Sequence, residues 1–439
     1  MKPVKIGLLG LGTVGSGTVQ VLIRNAEEIN RRAGRVLQIT HAAARDLKYP
    51  ELCTQNNIVL TDNAEEIVNH PEIDIVLELM GGIDFAKKMV LQAIANGKHV
   101  ITANKALLAT HGNEIFAKAQ EKQVIVAFEA AVAGGIPIIK ALRESLAGNR
   151  IEWLAGIING TGNFILTEMR DKGRDFAEVL AEAQRLGYAE ADPAFDVEGI
   201  DAAHKLTILA SIAFGIPLQF NRVYTEGITQ ITSQDVNYAA ELGYQIKHLG
   251  IARQTPQGIE MRVHPTLIPK QQLMANVDGV LNAVLVHGDA VGSVLFCGAG
   301  AGAEPTASSV AGDLVDVVRA LTTDPENRVP HLAFQPSAMS EQPILPMHQV
   351  ETAYYLRLRV LNKAGVLAQI TEIFAAHHIS IEAIIQKDAA GRAETATEVS
   401  LVLLSHRVKE QEMNAAIAKI EALTVVKSPL TRIRMESLR

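Results

Sequence analysis

The sequence predicts an α/β protein in three parts: a doubly wound parallel sheet, an α+β middle region and a small C-terminal βαββαβ module. Three observations predict this. Short β-rich runs alternate with helical patterns over the first third, and the glycine run GLGTVG at 10–15 stands between one such run and a helix. From about residue 350 the order is strand, helix, strand, strand, helix, strand.

Residues 4–9 read as a buried strand, and Val14, Thr18, Val21 and Leu22 then recur at helical spacing. Residues 37–43, 73–79, 99–102 and 124–128 read as further strands with helical stretches between them, which implies right-handed βαβ units. In GLGTVG the first glycine permits a tight turn, the second lets backbone approach a pyrophosphate, and the third lets helix and strand pack closely. The helix N-terminus supplies N–H groups and positive dipole to phosphates. Strand, loop and helix together predict a Rossmann-type dinucleotide site with Gly10, Gly12, Thr13, Val14 and Gly15 against the cofactor, a plain structural turn being the alternative. After the second strand an acid favours NAD and a nearby arginine favours the 2′-phosphate of NADP. Arg45, Asp46 and Lys48 follow here, which favours NADP and still allows NAD; Arg45 as a plain surface charge is the simpler reading.

The middle region changes texture. Residues 153–158 read as a strand, and Phe176, Val179, Leu180, Ala183 and Leu186 form a helix stripe. Asp175 and Glu178 suggest a D-x-x-E cap at its start, and Gly187 its end. A long helix is expected over 199–214, with strands at 259–263 and 283–287 and a return to the first domain near 305. The proline-bearing stretch 330–346 reads as a linker. In the last part, strands are expected at 354–360, 379–386, 398–404 and from 425, with helices at 366–376 and 409–420. The expected domains are therefore 1–134 (completed by about 305–330), 135–304, a linker at 331–349, and 350–439.

Composition excludes several classes. The chain has 439 residues, 48% hydrophobic and 20% charged, as in an ordinary multidomain globular protein. A net charge of -7 gives no basic field for nucleic acid or an anionic membrane. The βαββαβ order also occurs in RNA-binding modules, but Tyr354 and Tyr355 do not supply the aromatic, basic sheet that those need. No apolar run is long enough for a membrane helix, and MKPVKIGLLGLG leads straight into a strand, so no signal peptide is expected. Cys53 and Cys297 are too few for a disulfide framework, which fits a reducing cytoplasm.

The residues that could carry chemistry read ambiguously by spacing alone. Lys205 lies one turn after Asp201 on the same helix face, which is the usual spacing of an exposed ion pair. Lys105 follows a strand at the carboxyl edge of the sheet, where open α/β sheets bind ligands, though a solvated lysine at a helix start looks the same. Glu190 reads as a loop acid, and His204, beside Lys205, points elsewhere on the helix and reads as packing or surface. No histidine or cysteine spacing matches a transition-metal site.

Several long segments, in order, resemble homoserine dehydrogenase in its form with a C-terminal ACT domain: GLGTVG at 10–15, TANKALLA at 102–109, FEAAVAGGIPII at 128–139, NGTGNFIL at 159–166, GYAEADPAFDVEGIDAAHKL at 187–206 and GAGAGAEPTASSV at 298–310. The resemblance covers essentially the whole chain. It implies NAD(P)-dependent interconversion of L-homoserine and L-aspartate 4-semialdehyde in threonine, methionine and isoleucine biosynthesis. It makes 135–304 a catalytic and dimerisation domain and 350–439 a ferredoxin-like ACT domain. It implies Lys205 as proton donor, Lys105 as a second candidate for proton transfer or carbonyl polarisation, Glu190 on the substrate ammonium, and Asp196 and Asp201 in support. Phe195 stands where some members carry an acid, so that position is left unassigned. Thr102, Lys105 (between nicotinamide and substrate) and Gly302 are implied near the cofactor, with Asn104 able to reach it, and a sodium ion at Glu129 and the carbonyls of Val132, Gly134 and Ile136. The segment 354–374 resembles the start of an ACT domain, with Asn362 where an Asp is frequent; Asn362, Gly365 and Val366 would face an amino-acid effector, expected to be L-threonine, unless the module only dimerises. A homodimer or homotetramer is expected. With nothing like a kinase domain ahead of residue 1, a monofunctional enzyme is expected. Two rivals keep much of this: a dehydrogenase of another amino acid, and a sensor that binds NADP and an amino acid without catalysis.

Overall fold

A computed structural model describes residues 2–45, 49–387 and 397–439. The chain forms two groups of segments, 1–160 with 201–223 and 280–342, and 161–200 with 224–279 and 343–439.

In the first group, β1 (Val4–Leu9), β2 (Leu37–Ala43), β3 (Val59–Thr61), β4 (Ile75–Glu78), β5 (His99–Thr102) and β6 (Val126–Ala127) form a parallel sheet in the order β3-β2-β1-β4-β5-β6. This is the doubly wound order, whose ligand crevice opens at the carboxyl ends of β1 and β4. The strands are nearly continuous apolar runs because helices cover both faces. Helix α1 (Thr13–Arg24) follows the glycine loop, and α2 (Lys105–Glu121) follows β5. Val310, Leu314 and Val317 of the helix Ala303–Ala320 share one core with Leu8, Val19 and Leu77, so the late segment completes this layer. The strands Ile151–Ile157, Leu281–Gly288 and Gly292–Ala299 pair antiparallel in the same group. The third of them carries too many small residues to read as a strand in sequence. Helix α3 (Ile200–Phe214) is buried from Asp201 onwards.

In the second group the strands run, in spatial order, Tyr244–Thr255, Gly258–Pro269, Thr431–Met435, Glu351–Leu361, Glu398–Ser405 and Ile381–Lys387. The last four, with helices Val366–Ala376 and Glu410–Glu421, are the expected βαββαβ module. Its final strand begins at Thr431 rather than 425, because Pro429 and the turn before it break the chain; Val426 keeps only one bridge, to Val360. Thr266 and Leu267 pair in parallel with Arg434 and Met435, so the module's edge strand extends the sheet of the preceding segment. The proline-bearing stretch also takes part, Ile344 bridging Ile259.

Two local expectations are corrected. Asp175 stands at the N-cap of Phe176–Arg185 but makes no side-chain cap; its carboxylate accepts from Ser233 Oγ at 2.9 Å, and Arg174 takes Glu178 at 2.8 Å. Only Val126 and Ala127 of 124–128 are strand, since the chain turns into a short 3-10 helix at Glu129–Ala131. Both cysteines are free, Cys53 buried and Cys297 exposed. Among the described residues no helix is long and apolar enough to cross a membrane.

Candidate active site

The glycine loop has the shape that its sequence requires. Gly10 has φ +95, and a Cβ there would lie 2.6 Å from Leu79 O; a Cβ on Gly15 would lie 2.0 Å from Gly10 O. Only glycine fits either position. A Cβ on Gly12, by contrast, would meet open space, so the loop presents bare backbone outwards. Gly12 is the N-cap of α1, so no side chain caps that helix start, and Thr13 and Val14 form its first turn. A pyrophosphate fits this cradle, with helix dipole and N–H groups facing it. Arg45 lies exposed just past β2; Asp46 and Lys48 lie outside the described residues.

At the carboxyl edge the strand register sets Leu9 opposite Glu78, and Glu78 opposite Thr102. Glu78 is fully buried; its carboxylate accepts from Thr102 Oγ1 at 2.7 Å and from Met80 N at 3.0 Å. Burial pushes this carboxyl up, while bonds from Thr102, Met80, Gly81 and Asn104 pull it down. Asn104 caps α2 through Leu107 N at 3.1 Å, and Lys105 is the first residue of that helix.

Lys105 and Lys205 converge on one carboxylate. Asp201 is 3% exposed; its Oδ2 lies 2.7 Å from Lys205 Nζ and its Oδ1 3.0 Å from Lys105 Nζ. Asn159 Nδ2 donates to Oδ2 at 2.9 Å, and Lys205 Nζ also donates to Ile158 O at 2.7 Å. Burial pushes the Asp201 carboxyl up, but the charges of Lys205 and Lys105, with the bonds from Lys205 and Asn159, outweigh it and hold the group well below the usual carboxylate range. The Lys205 side chain is 10% exposed and that of Lys105 33%, so Lys205 is the more buried of the pair. His204 is buried and stacks on Phe220 with ring centroids 4.2 Å apart. Burial pushes it down to about 4, so it is neutral at pH 7. Two ammonium groups held on one carboxylate can stabilise an oxygen that turns anionic as a carbonyl is reduced.

Glu129 is held by the start of the next helix: its two oxygens accept from Ile139 N and Lys140 N, each at 2.8 Å. Its own N–H donates to Asp313 at 2.8 Å, and Gly134 O accepts from Ser309 Oγ at 2.6 Å. Burial pushes the Glu129 carboxyl up to about 7. Gly302 has φ +125 and is the N-cap of Ala303–Ala320.

The homoserine dehydrogenase NAD-binding model matches residues 10–129, its catalytic-domain model residues 137–315, and the ACT domain model residues 354–424. The homoserine dehydrogenase of Pseudomonas aeruginosa is 65% identical over 438 residues, covering 100% of both chains. The chain belongs to the homoserine dehydrogenase family. That of Neisseria gonorrhoeae is 56% identical with the same full coverage. A crystal structure of a homoserine dehydrogenase from Thiobacillus denitrificans superposes with a TM-score of 0.95 at 64% identity, covering 100% of this chain and 99% of that one. A hyperthermophilic archaeal homoserine dehydrogenase in complex with NADPH gives 0.62 at 26% identity, over 72% of this chain and 98% of that one. The enzyme is thus a nicotinamide-dependent oxidoreductase that interconverts L-homoserine and L-aspartate 4-semialdehyde, with an ACT domain at its C-terminal end.

The remaining residues expected in a homoserine dehydrogenase site lie in the second group. Glu190 is exposed, and its carbonyl accepts from Gln184 Nε2 at 3.1 Å; Asp196 is half-buried in the short helix Ala194–Val197. Thr161 Oγ1 donates to Tyr188 O at 2.6 Å and ties this loop to the NGTGN segment. In the ACT domain Gly365 is the left-handed N-cap of Val366–Ala376, with Asn362 three residues before it. Sequence reasoning missed Glu78 and Asn159. For Glu78 a signal existed: an acid ending the apolar run IVLE of a strand buried on both faces. Asn159 precedes the glycines of NGTGN and carried none.

Proposed function

We propose that Lys205 exchanges the proton of the substrate hydroxyl and that Lys105 polarises the same oxygen, with Asp201 fixing both. The observation that carries this is the single buried carboxylate shared by the two ammonium groups. The nicotinamide cofactor, when bound, supplies or accepts the hydride. The protein's part is to hold the oxygen, balance its charge and keep Lys205 at a set distance. Glu190, supported by Asp196, takes the substrate ammonium, since charge-assisted hydrogen bonds are the strong ones; Asp201 acts through the lysines. Lys205→Ala should abolish turnover of L-aspartate 4-semialdehyde while NADPH still binds. Near wild-type turnover in that variant would remove Lys205 from the proton step.

NADP is the preferred cofactor in this reading, through Arg45, with Gly10, Gly12, Thr13, Val14, Gly15, Thr102 and Gly302 around it. A sodium ion is placed at Glu129 with the carbonyls of Val132, Gly134 and Ile136, in a structural role. Oxygen-only donors suit a hard cation, and the left-handed residues Ala133 (φ 55) and Gly134 (φ 47) turn this segment tightly, although Gly134 O also accepts from Ser309 Oγ at 2.6 Å and Ile136 O from Ile138 N at 2.8 Å. The enzyme works in the cytoplasm as a homodimer or homotetramer, and L-threonine binds at Asn362, Gly365 and Val366 to lower activity. NADPH oxidation with L-aspartate 4-semialdehyde, with and without L-threonine, tests this. A rate unmoved by threonine would leave the ACT domain to assembly or another effector.

A further inference from the structure

We propose that Glu78 is a positioning residue for the reaction, holding Lys105 in register with the cofactor cradle through Thr102 and Asn104. The links are continuous. Thr102 Oγ1 donates to Glu78 Oε2 at 2.7 Å and accepts from Asn104 N at 2.9 Å. Asn104 Nδ2 donates to Gly82 O at 2.6 Å, and its Oδ1 caps α2 through Leu107 N at 3.1 Å. The Cα of Lys105 is thereby fixed one residue past a cap that Glu78 orients, and its ammonium reaches Asp201 at 3.0 Å.

The other oxygen of Glu78 faces the turn behind the glycine loop. Its Oε1 accepts from Met80 N at 3.0 Å and so fixes the turn after β4. That turn backs the glycine loop so closely that a Cβ on Gly10 would meet Leu79 O at 2.6 Å and Met80 Cα at 2.9 Å. One carboxylate therefore spans the two walls of the crevice, the phosphate-binding wall and the wall that carries Lys105. Every group that it meets donates a hydrogen bond. An amide of the same shape would turn an N–H towards one of these donors and break the chain there. Misplacing a reacting group by about 1 Å can slow catalysis by about 100-fold.

The inference rests on Lys105 acting on the reacting oxygen, and the test separates the two. Steady-state rates for Glu78→Gln, Thr102→Val, Thr102→Ser and Lys105→Ala are compared with melting temperatures and NADPH affinity. Glu78→Gln and Thr102→Val should lower kcat by about 10- to 100-fold, with the KM for L-aspartate 4-semialdehyde moving less than about 3-fold. Thr102→Ser, which keeps the hydroxyl, should restore most of the rate. In the Lys105→Ala background, Glu78→Gln should cost less than about 2-fold more, because residues in one chain are not additive. An equal loss in both backgrounds, or a kcat for Glu78→Gln within about 2-fold of wild type, would overturn the proposal. Wild-type turnover by Lys105→Ala would instead sink the role of Lys105. Should Glu78→Gln fail to fold, the Thr102→Val and Thr102→Ser pair, each also made on Lys105→Ala, decides the matter by the same criteria.

Discussion

Lys105 and Lys205 hold opposite oxygens of the same carboxylate, Oδ1 of Asp201 at 3.0 Å and Oδ2 at 2.7 Å. One lysine starts a helix after the fifth strand of the parallel sheet, and the other lies in the first turns of a buried helix. Asp201 thus joins two lysines from different helices through one carboxylate.

Asp201→Asn keeps the shape and removes that charge. Lys205, almost buried, then loses its counterion and favours its neutral form. Breaking a buried pair from one side costs about 3–5 kcal/mol. The expected result is a kcat lower by about 100-fold or more, a reduced melting temperature, and NADPH affinity within about 3-fold of wild type. A kcat within about 3-fold would show that the two lysines do not depend on Asp201.

This pair also shows where sequence reading succeeds and stops. The glycine loop, five of the six parallel strands and the βαββαβ module were legible because each rests on local chemistry: a turn that only glycine fits, apolar runs of strand length, helical periodicity; the three-residue strand Val59–Thr61 is too short to show such a pattern. The ion pair Asp201–Lys205 was legible as a spacing, but the same spacing occurs on exposed helices. What decides it is burial of the whole face of α3, a tertiary fact. The contact from Lys105 to Asp201 depends on how distant segments pack, and no local pattern encodes it. The edge pairing of 431–435 with 258–269 was illegible for the same reason: a ferredoxin-like module reads as self-contained, and nothing in its own pattern names a further strand beside it.

Arg45 offers a test of cofactor choice. An arginine past the second strand pairs with a 2′-phosphate through charge-assisted bonds worth about 1.5–3 kcal/mol. Arg45→Ala should therefore raise the KM for NADPH by about 10-fold or more and leave that for NADH within about 2-fold. Equal changes for both cofactors would reduce Arg45 to a surface charge.

Two half-buried histidines make the first group acid-sensitive. His99 Nδ1 accepts from Ile125 N at 2.9 Å, and His331 Nε2 accepts from Val126 N at 3.1 Å, so neither ring nitrogen can take a proton without losing a bond to the last strand of the sheet. Burial pushes His99 from 6.5 down to about 4 and His331 from 6.5 down to about 3, with Arg328 adding to both and Arg143 to His331. In the unfolded chain both rings protonate near their ordinary value. Their stabilisation is thus complete above about pH 6.5 and is lost as pH falls through the folded values, at about 1.4 kcal/mol per pH unit for each ring. Urea midpoints should drop between pH 7 and pH 5, and His331→Gln, which can still accept from Val126, should flatten that drop. An unchanged slope in His331→Gln would mean that other groups govern the acid limb.

Arg434 is the strongest test of whether the ACT domain's last strand matters to its neighbours. The side chain is fully buried; it reaches Glu226 at 2.7 Å and Tyr224 Oη at 3.1 Å, and it donates through Nε to Glu410 at 2.9 Å. Tyr354 Oη adds a bond to Glu410 at 2.7 Å. Arg434→Met keeps most of the volume but takes the buried cation from Glu410 and Glu226, leaving them Arg432 at 3.0 Å and 3.6 Å. Breaking a buried pair from one side costs up to about 3–5 kcal/mol and Arg432 offsets part of it, so the melting temperature of the second group should fall by a few degrees. Glu410→Gln added to Arg434→Met should recover part of the loss, because a neutral amide costs less to bury than a carboxylate. If the double variant is instead less stable by the sum of two separate losses, the two residues do not act as a pair, and the strand is held by its backbone bonds and by Ile433 and Met435 in the core.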